Sequence, residues 1–345
     1  MHKHASGVDS VGLRDIDMPM ETKRSERNPG PEISAGVIGA TGYTGLEVLR
    51  VLSGHGGVKV AFASSRGSAG EPSPIVGLNF ETPEDVPAMG VDVVFLCLPH
   101  GESVPWVESL RGGPKVIDLT ADHRPGSGRE EGIAYGLAEW NRQQVASAEV
   151  VANPGCYPTG VLCALTPLSE AGFVDPERLT VVNAASGVTG AGRTPKTHLL
   201  FAEVSGDYRA YGEGNKHRHL REMRALLPSM PLLFQPHLLP VARGILETMT
   251  VPVRHGVSAE DFRDSWRGAY EGSKAIEVLG TGLPGLSRVV GTDRLSLGAC
   301  GVEGVSPTVV TVVAALDNLG KGAAGQAVQN MNLLFAWDID RGIRC

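Results

Sequence analysis

Short apolar runs alternate with amphipathic stretches in the first part of the chain. The runs at 33–38, 58–63, 91–98 and 115–119 have the length and composition of buried strands, and the stretch at 46–52 has helical spacing. Strands that are separated by helical segments form parallel β-α-β units. The pattern therefore predicts an α/β fold whose first part is a doubly wound parallel sheet.

A different pattern follows residue 153, where longer irregular stretches separate the strand-like segments. These segments lie at 179–185, 246–253 and 307–315, and a helical segment at 161–168 precedes them. This pattern predicts a second, α+β domain with a mixed or antiparallel sheet. The last apolar stretch before the C-terminus is helical in pattern, and we expect it to pack back on the first domain.

The first 32 residues differ from both of these parts. They have no apolar core and carry Asp9, Asp15, Asp17 and Glu21, which fits neither a secretory signal nor a transit peptide. We interpret them as a disordered tail or as the product of a start codon assigned too early. The predicted division of the chain is therefore 1–32, a parallel-sheet domain at 33–153, an α+β domain at 154–315, and a C-terminal helix at 316–345.

Composition and charge exclude several classes of protein. Of the 345 residues, 42% are hydrophobic and 20% are charged, and the net charge of -7 without a basic run argues against a nucleic-acid partner. No apolar run is long enough to span a membrane. The five cysteines are odd in number and follow no signal peptide, so we expect reduced thiols in the cytoplasm. No spacing of cysteine or histidine predicts a metal site.

Glycines recur at every third position, from Gly36 in the first strand to Gly45, and a helix follows. They let the backbone turn sharply and let a pyrophosphate approach the helix N-terminus, where N–H groups and the helix dipole stabilise it. The turn therefore predicts a Rossmann-type sheet with a dinucleotide cofactor, and a plain strand-to-helix turn is the alternative. The residues expected to bind the cofactor here are Gly39, Thr41, Gly42, Tyr43, Thr44 and Gly45.

The end of the second strand indicates which dinucleotide binds. In NAD-binding domains an Asp or Glu at this place binds the adenosine ribose, but this chain has Ser64, Ser65 and Arg66. No carboxylate repels a phosphate here, and a guanidinium can bind one through two parallel hydrogen bonds. We therefore expect Arg66 to bind the 2′-phosphate of NADPH and Ser64 to belong to the cofactor site, with a solvent-facing loop arginine as the alternative.

A cysteine stands at the start of the helical segment that opens the second domain. Cys156 follows Gly155, and a thiol at a helix N-terminus feels the positive end of the dipole, which lowers its pKa. Free N–H groups at this place also suit an oxyanion. We therefore predict that Cys156 is a nucleophile, whereas Cys97 and Cys163 are expected to be core residues.

A thiolate nucleophile needs a partner that accepts and donates protons. The densest candidates are His217, His219 and Glu222. On one continuous helix Glu222 shares a face with His219, and its carboxylate would orient that imidazole and raise its pKa. His217 becomes possible if the helix begins after His219, and a solvated charged turn is the alternative for the whole segment.

A phosphorylated substrate would need fixed cations. Arg124, Arg193, Lys196, Lys216 and Arg243 lie in segments that contain glycine or proline rather than on amphipathic helix faces. Each of them, taken alone, is more typical of a surface charge than of a ligand.

Several segments together resemble the N-acetyl-γ-glutamyl-phosphate reductase family and, more distantly, the aspartate-semialdehyde dehydrogenases. They occur in the family's order and extend over about residues 33 to 340. The segments are Gly36–Gly45, Leu98–Ser103, Asp118–Arg124, Tyr135–Asn141, Asn153–Thr159, Ser186–Arg193, His217–Glu222 and Pro236–Ile245.

The resemblance implies an enzyme that reduces N-acetyl-L-glutamyl 5-phosphate with NADPH, through a cysteine thioester, in arginine biosynthesis. It implies that Cys156 is the nucleophile and that one histidine, His217 or His219, does the acid–base work. The dehydrogenases take this histidine from a Val-Pro-Val-x-x-Gly-His segment. The similar segment here ends in Ile245, which favours the pair at 217 and 219 further.

The resemblance also implies further binding residues and an assembly. Arg124 looks like the family's phosphate-binding arginine, because it ends a segment similar to Asp-Leu-Ser-Ala-Asp-Phe-Arg. The assembly implied is a homodimer or homotetramer, without a metal. The remaining substrate residues are Asn153, Lys216 and Arg243, and the remaining cofactor residues are Pro99, His100, Ser186, Gly187 and Asn318.

The chain departs from the family's pattern at Thr120, His123, Ala138 and Trp140. These residues flank the reacting groups, so they concern the shape of the substrate loop. Three other functions stay open: the same chemistry on aspartyl phosphate or on a carrier-bound α-aminoadipyl phosphate, an NADP-binding sensor without catalysis, and a structural protein. The last two give no reason to retain the thiol and histidine segments.

Overall fold

The computed structural model describes residues 32–85, 90–212, 214–305 and 308–345. Apart from Glu32, the predicted N-terminal tail lies outside these ranges. The described chain contains two sheets of seven strands each. The predicted combination of a Rossmann-type domain with a second α+β domain is confirmed.

The first sheet holds the glycine turn between its first strand and first helix. Its elements are β1 (Ile33–Ile38), α1 (Tyr43–Ser53), β2 (Val58–Ser64), β3 (Phe80–Glu81), β4 (Val93–Leu96), α2 (Val104–Ser109), β5 (Lys115–Asp118), β6 (Ala134–Tyr135), α3 (Arg142–Ala146) and β7 (Val150–Ala152). The strands are all parallel and take the order β3-β2-β1-β4-β5-β7-β6. Every residue of β4 is buried, as expected of a parallel sheet that is covered on both faces.

The second sheet is mixed and begins after the helix that carries the predicted nucleophile. Its elements are α4 (Cys156–Glu170), β8 (Thr180–Gly187), α5 (Phe201–Val204), β9 (Arg209–Ala210), α6 (Leu220–Leu226), β10 (Leu232–Leu239), β11 (Ile245–Pro252), α7 (Ala259–Ala269), β12 (Ile276–Val278), β13 (Leu295–Gly301) and β14 (Val309–Leu316). The strand order is β12-β13-β14-β11-β8-β10-β9. Helix α4 is buried along most of its length and shares one core with α6, α7 and the sheet.

The chain returns to the first sheet at its C-terminal end. One turn of π-helix, Gly320–Ala324, leads into α8 (Gly325–Leu334). Ala327, Val328 and Met331 of α8 are buried in the same core as α1 and β1, so the last helix covers the first sheet. Across the described ranges, no helix has the length and apolar character that crossing a membrane requires.

Candidate active site

The glycine turn has the shape that a dinucleotide cofactor needs. Gly39 has a φ of 83°, and a β-carbon there would lie 2.4 Å from the carbonyl oxygen of Cys97. A β-carbon at Gly45 would lie 2.5 Å from the carbonyl oxygen of Gly39. Helix α1 has Gly42 as its N-cap, without a side-chain cap and without an acid in its first turn. Its N–H groups and its dipole therefore suit an anion, which fits the pyrophosphate of a dinucleotide.

The end of β2 lies beside this turn, as its predicted role requires. The hydroxyl groups of Ser65 and Thr41 are hydrogen-bonded at 2.8 Å. Arg66 is exposed, and its guanidinium forms ion pairs with Glu84 at 2.7 Å and Glu102 at 3.9 Å. A 2′-phosphate at this place would have to compete with these two carboxylates for Arg66.

The other predicted cofactor residues stand at the ends of strands in both sheets. Pro99 and His100 follow β4, and Nδ1 of His100 accepts a hydrogen bond from the backbone of Ala121 at 3.0 Å. Burial lowers the pKa of His100 to about 4. The remaining residues are Ser186 and Gly187, which end β8, and Asn318, which follows β14.

Cys156 is the first residue of α4, and Gly155 is its N-cap. Burial raises the pKa of the Cys156 thiol to about 11, against the opposing effects of Arg124, the Tyr157 N–H and Arg218. The predicted lowering of this pKa is therefore wrong, because the loss of solvation outweighs the positive groups. The site holds a thiol at neutral pH, so a base must remove its proton before attack.

A buried imidazole lies against the residue that precedes this thiol. A β-carbon at Gly155 would lie 2.7 Å from Nε2 of His219, and Nδ1 of His219 is buried without a hydrogen-bond partner among the described residues. Nδ1 of His217 accepts a hydrogen bond of 3.3 Å from the His219 N–H. Burial holds the pKa of His219 well below its ordinary value and lowers that of His217 to about 4. Both imidazoles are therefore neutral at neutral pH and able to accept a proton.

Glu222 does not orient His219, which corrects the sequence prediction. Helix α6 begins only after His219, so spacing along a helix does not bring the two side chains together. The carboxylate instead accepts hydrogen bonds from Tyr135 at 3.0 Å, from the Gly155 N–H at 2.9 Å and from Arg124 at 3.3 Å. Glu222 therefore holds the backbone and the arginine beside the nucleophile.

Two predicted substrate residues, Arg124 and Asn153, form hydrogen bonds with the protein groups that surround the site. Arg124 donates to the carbonyl oxygens of Asn153 at 2.7 Å and Leu119 at 2.8 Å. The side-chain amide of Asn153 donates to the carbonyl of Ala323 at 3.2 Å and accepts from Asn330 at 3.0 Å. Asn153 therefore has little capacity left for a substrate, whereas Arg124 retains some of the five N–H donors of a guanidinium.

Arg243 was predicted to bind the substrate, but in the structure it is paired with two carboxylates. Its guanidinium binds Asp317 at 2.9 Å and Glu47 at 3.0 Å, so two carboxylates neutralise it and it is not free for a substrate phosphate. Although burial opposes the shift, Arg243 and Arg50 lower the pKa of Glu47 to about 2. Lys216 is exposed, and no ion pair with it is present within the described chain.

Arg218 is a further candidate ligand, which was not predicted from the sequence. Its guanidinium has no hydrogen-bond or ion-pair partner among the residues that the structure describes. Its positive charge lowers the pKa of Cys156, of His217 and of His219, so it lies near all three candidate reacting groups. The signal in the sequence was its position between the two histidines.

A buried ion pair, also not predicted from the sequence, holds a turn that packs near Cys156. Nζ of Lys321 donates to both oxygens of Glu139 and to Gln329, each at 2.6 Å, and the lysine has no exposed surface. The pair anchors the π-helical turn, in which a β-carbon at Gly322 would lie 3.0 Å from Cβ of Cys156. The turn is therefore packed directly against the thiol residue.

Known proteins are similar to this chain in sequence. Residues 34–148 match the family described as semialdehyde dehydrogenase, NAD binding domain, and residues 156–318 match the semialdehyde dehydrogenase dimerisation domain. The chain is 37% identical to the N-acetyl-gamma-glutamyl-phosphate reductase of Akkermansia muciniphila, over 90% of this chain and 99% of that protein. It is 40% identical to that of Laribacter hongkongensis, over 90% and 98%. The chain belongs to the N-acetyl-γ-glutamyl-phosphate reductase family.

Solved structures show the same fold in a related group of enzymes. Aspartate semialdehyde dehydrogenase II of Vibrio cholerae, complexed with ASA, has a TM-score of 0.75 at 21% identity and covers 89% of this chain and 99% of its own. Aspartate semialdehyde dehydrogenase with NADP from Candida albicans has a TM-score of 0.67 at 19% identity, with coverages of 89% and 99%. At these identities the likeness establishes the fold of this reductase family member and nothing further.

One buried carboxyl of this reductase family member was not predicted. Glu247 lies on β11 without exposed surface, and neither of its oxygens has a hydrogen-bond partner among the described residues. A β-carbon at Gly160 of α4 would lie 2.0 Å from one of them, so glycine leaves the room that this carboxyl occupies. Burial raises the pKa of Glu247 well above its ordinary value, because a carboxyl without a partner in the protein interior favours its uncharged form.

Glu247→Gln is expected to stabilise the enzyme at neutral and alkaline pH. Above the ordinary pKa of 4.5 the unfolded chain ionises and the folded chain does not, so stability falls by about 1.4 kcal/mol per pH unit up to the folded pKa. Glutamine has a similar shape and does not ionise. Melting temperatures should diverge as pH rises, with the variant higher, whereas the exposed Glu71→Gln control should follow wild type. Parallel curves for Glu247→Gln would contradict a protonated carboxyl.

Proposed function

We propose that this protein catalyses the NADPH-dependent reduction of N-acetyl-L-glutamyl 5-phosphate to N-acetyl-L-glutamate 5-semialdehyde and phosphate, in arginine biosynthesis. The observation that carries the proposal is Cys156 at the start of α4, with neutral His219 beside the preceding glycine and two arginines acting on the thiol. Relatives that match over 90% of this chain are named for the same substrate.

The first half of the reaction forms a thioester. Since burial keeps the Cys156 thiol protonated and the His219 imidazole neutral, the imidazole can accept the thiol proton as substrate binds. The thiolate then attacks the acyl carbon, a carbon–sulfur bond forms, and the carbon–oxygen bond to phosphate breaks. The phosphate leaves toward Arg124 and Arg218, which stabilise its charge through charge-assisted hydrogen bonds.

The second half reduces the thioester to the aldehyde. NADPH, when bound at the glycine turn, supplies the hydride that the thioester carbon receives. The resulting tetrahedral oxyanion, still bonded to Cys156, re-forms its carbon–oxygen double bond as the carbon–sulfur bond breaks. The aldehyde departs, and the His219 imidazolium returns its proton to the sulfur. The covalent intermediate divides one difficult reduction into two easier steps.

The proposed roles divide the chain between cofactor and substrate. We propose that residues 33–153, together with the returning segment 316–345, hold the cofactor, and that 154–315 carries catalysis and the subunit interface. The preference for NADPH is supported by the absence of an acid among Ser64, Ser65 and Arg66. A dehydrogenase of the same fold is known with NADP.

We also propose that the enzyme works as a homodimer or homotetramer in the cytoplasm. The second domain matches a dimerisation domain. On β8 and β11 the residues that alternate with buried ones include exposed Asn183, Thr248 and Thr250, so one face of this sheet is open for a second copy. All five cysteines are free, as expected in a reducing compartment.

Phosphate-dependent reduction of NADP with N-acetylglutamate semialdehyde tests the proposed function, because the assay runs the reaction in reverse. We expect turnover with this aldehyde, and little with aspartate semialdehyde or α-aminoadipate semialdehyde. A preference for either of these would assign the same chemistry to another acyl phosphate. Turnover that does not need phosphate would refute an acyl-phosphate reductase.

Arg218→Ala is expected to raise the KM for phosphate in this assay about tenfold or more, since a hydrogen bond to a charged group contributes roughly 1.5–3 kcal/mol. The KM for the semialdehyde should change little, because that substrate lacks the phosphate. Arg254→Ala, which removes an exposed arginine from a loop after β11, is the matched control. An unchanged KM for phosphate would remove Arg218 from the phosphate site.

A further inference from the structure

The loop after β8 brings a positive charge from the second domain onto the glycine turn of the first. Nη1 of Arg193 donates a hydrogen bond of 2.7 Å to the carbonyl oxygen of Thr41. Thr41 directly precedes Gly42, the N-cap of α1. Arg193 therefore links the domain that carries Cys156 to the turn that fits a dinucleotide.

No carboxylate neutralises this arginine within the described residues. Arg193 is exposed, and its partner on the turn is a neutral carbonyl rather than an acid. Helix α1 has no acid in its first turn and no side-chain cap, so the positive end of its dipole is also unbalanced. Two positive groups that meet without a counter-charge attract an anion of high charge density.

The arginine also has hydrogen-bond donors to spare. A guanidinium carries five N–H groups, and the bond to the turn uses one of them. The other arginines close to this region are already held by acids, because Arg66 pairs with Glu84 and Arg243 pairs with Glu47. Of these three arginines, Arg193 alone lacks an acidic partner in the described chain.

We propose that Arg193 binds the pyrophosphate of the dinucleotide cofactor and thereby joins the catalytic domain to the bound cofactor. This inference rests on the proposed function, in that it takes the glycine turn to be a dinucleotide site. In such turns the pyrophosphate lies at the helix N-terminus. NADH and NADPH share the pyrophosphate, whereas the 2′-phosphate belongs to NADPH alone, so the two cofactors distinguish the two anions.

Equilibrium titration with NADPH and with NADH, followed by cofactor fluorescence, tests the proposal without turnover. Arg193→Ala is expected to raise both dissociation constants by a similar factor of about ten or more, as loss of a charge-assisted hydrogen bond predicts. Arg193→Lys should recover part of the affinity, because it keeps the charge and loses the planar fork. Arg66→Ala should weaken NADPH alone, and Arg254→Ala should weaken neither.

Any other outcome of these titrations would overturn the proposal. A loss confined to NADPH would place Arg193 at the 2′-phosphate, and unchanged dissociation constants would remove it from the cofactor site. A lower turnover with unchanged binding would make it a residue of the substrate side.

Equal melting temperatures of Arg193→Ala and wild type confirm that the variant is folded. Failure of the proposed function is distinct, because wild type would then bind cofactor and yet not reduce NADP with phosphate and the semialdehyde.

Discussion

Cys156→Ser is expected to abolish turnover while NADPH still binds. A serine hydroxyl has a far higher pKa than a thiol, and burial in this site already raises the pKa of the thiol to about 11. A neutral imidazole whose own pKa is depressed, as in His219, cannot remove a proton from such a hydroxyl at a useful rate. The phosphate-dependent assay should therefore fall to background, because no acyl-enzyme forms.

Two further measurements separate loss of the nucleophile from loss of the fold. Cys345→Ser removes an exposed thiol and should keep full activity, and Cys156→Ser should bind NADPH with the dissociation constant of wild type. Mass spectrometry of wild type after incubation with the acyl phosphate should place the acyl group on the peptide that contains Cys156. More than a trace of activity in the serine variant would contradict a thioester mechanism.

The first sheet was predictable because its main strands are nearly continuous apolar runs. The segment predicted at 91–98 contains β4, which the structure confines to Val93–Leu96. The strands β3 and β6 have two residues each, which is too short for a period of two to be visible. These strands exist because neighbouring strands supply their hydrogen bonds, and that information is not local in the sequence.

β10 shows the same limit in the second sheet. Gln235, Pro236 and His237 interrupt its apolar pattern, so the sequence did not predict a strand there. In the structure it runs parallel to β8 along its whole length, whereas β9 pairs only with His237 and Leu238. Most of β10 is therefore an edge strand, which tolerates a proline that a central strand would exclude.

The sequence predicted which segments form the candidate site, but it did not predict which side chains contact one another there. Spacing placed Cys156 at a helix N-terminus, where the structure has it. The same kind of argument paired Glu222 with His219, but the carboxylate pairs with Arg124. Arg243 likewise forms ion pairs with Glu47 and Asp317, which lie on other segments. Tertiary packing decides which acid pairs with which base. Spacing along a single sequence does not predict these pairs.

His219→Asn and His217→Asn are expected to have different effects on turnover. His219 is 4% exposed and lies against the glycine before the nucleophile. His217 is less buried, and its Nδ1 is already engaged by the His219 N–H. We therefore expect His219→Asn to lose roughly 10²- to 10⁴-fold in rate, the usual contribution of a positioned acid–base group. His217→Asn should mainly raise the KM for the acyl phosphate.

The pH dependence of turnover gives each variant its own signature. A base must be neutral, and burial, His217 and the nearby arginines hold the pKa of His219 well below its ordinary value, so wild type should lose activity only as pH falls through that depressed pKa. His219→Asn has no such group and should lose this acidic limb. His217→Asn should keep the limb and move it to higher pH, because one of the groups that lower the pKa of His219 is gone. If both variants kept the rate and the limb of wild type, the segment would be structural, and His100 and His237 would be the next candidates for the acid–base group.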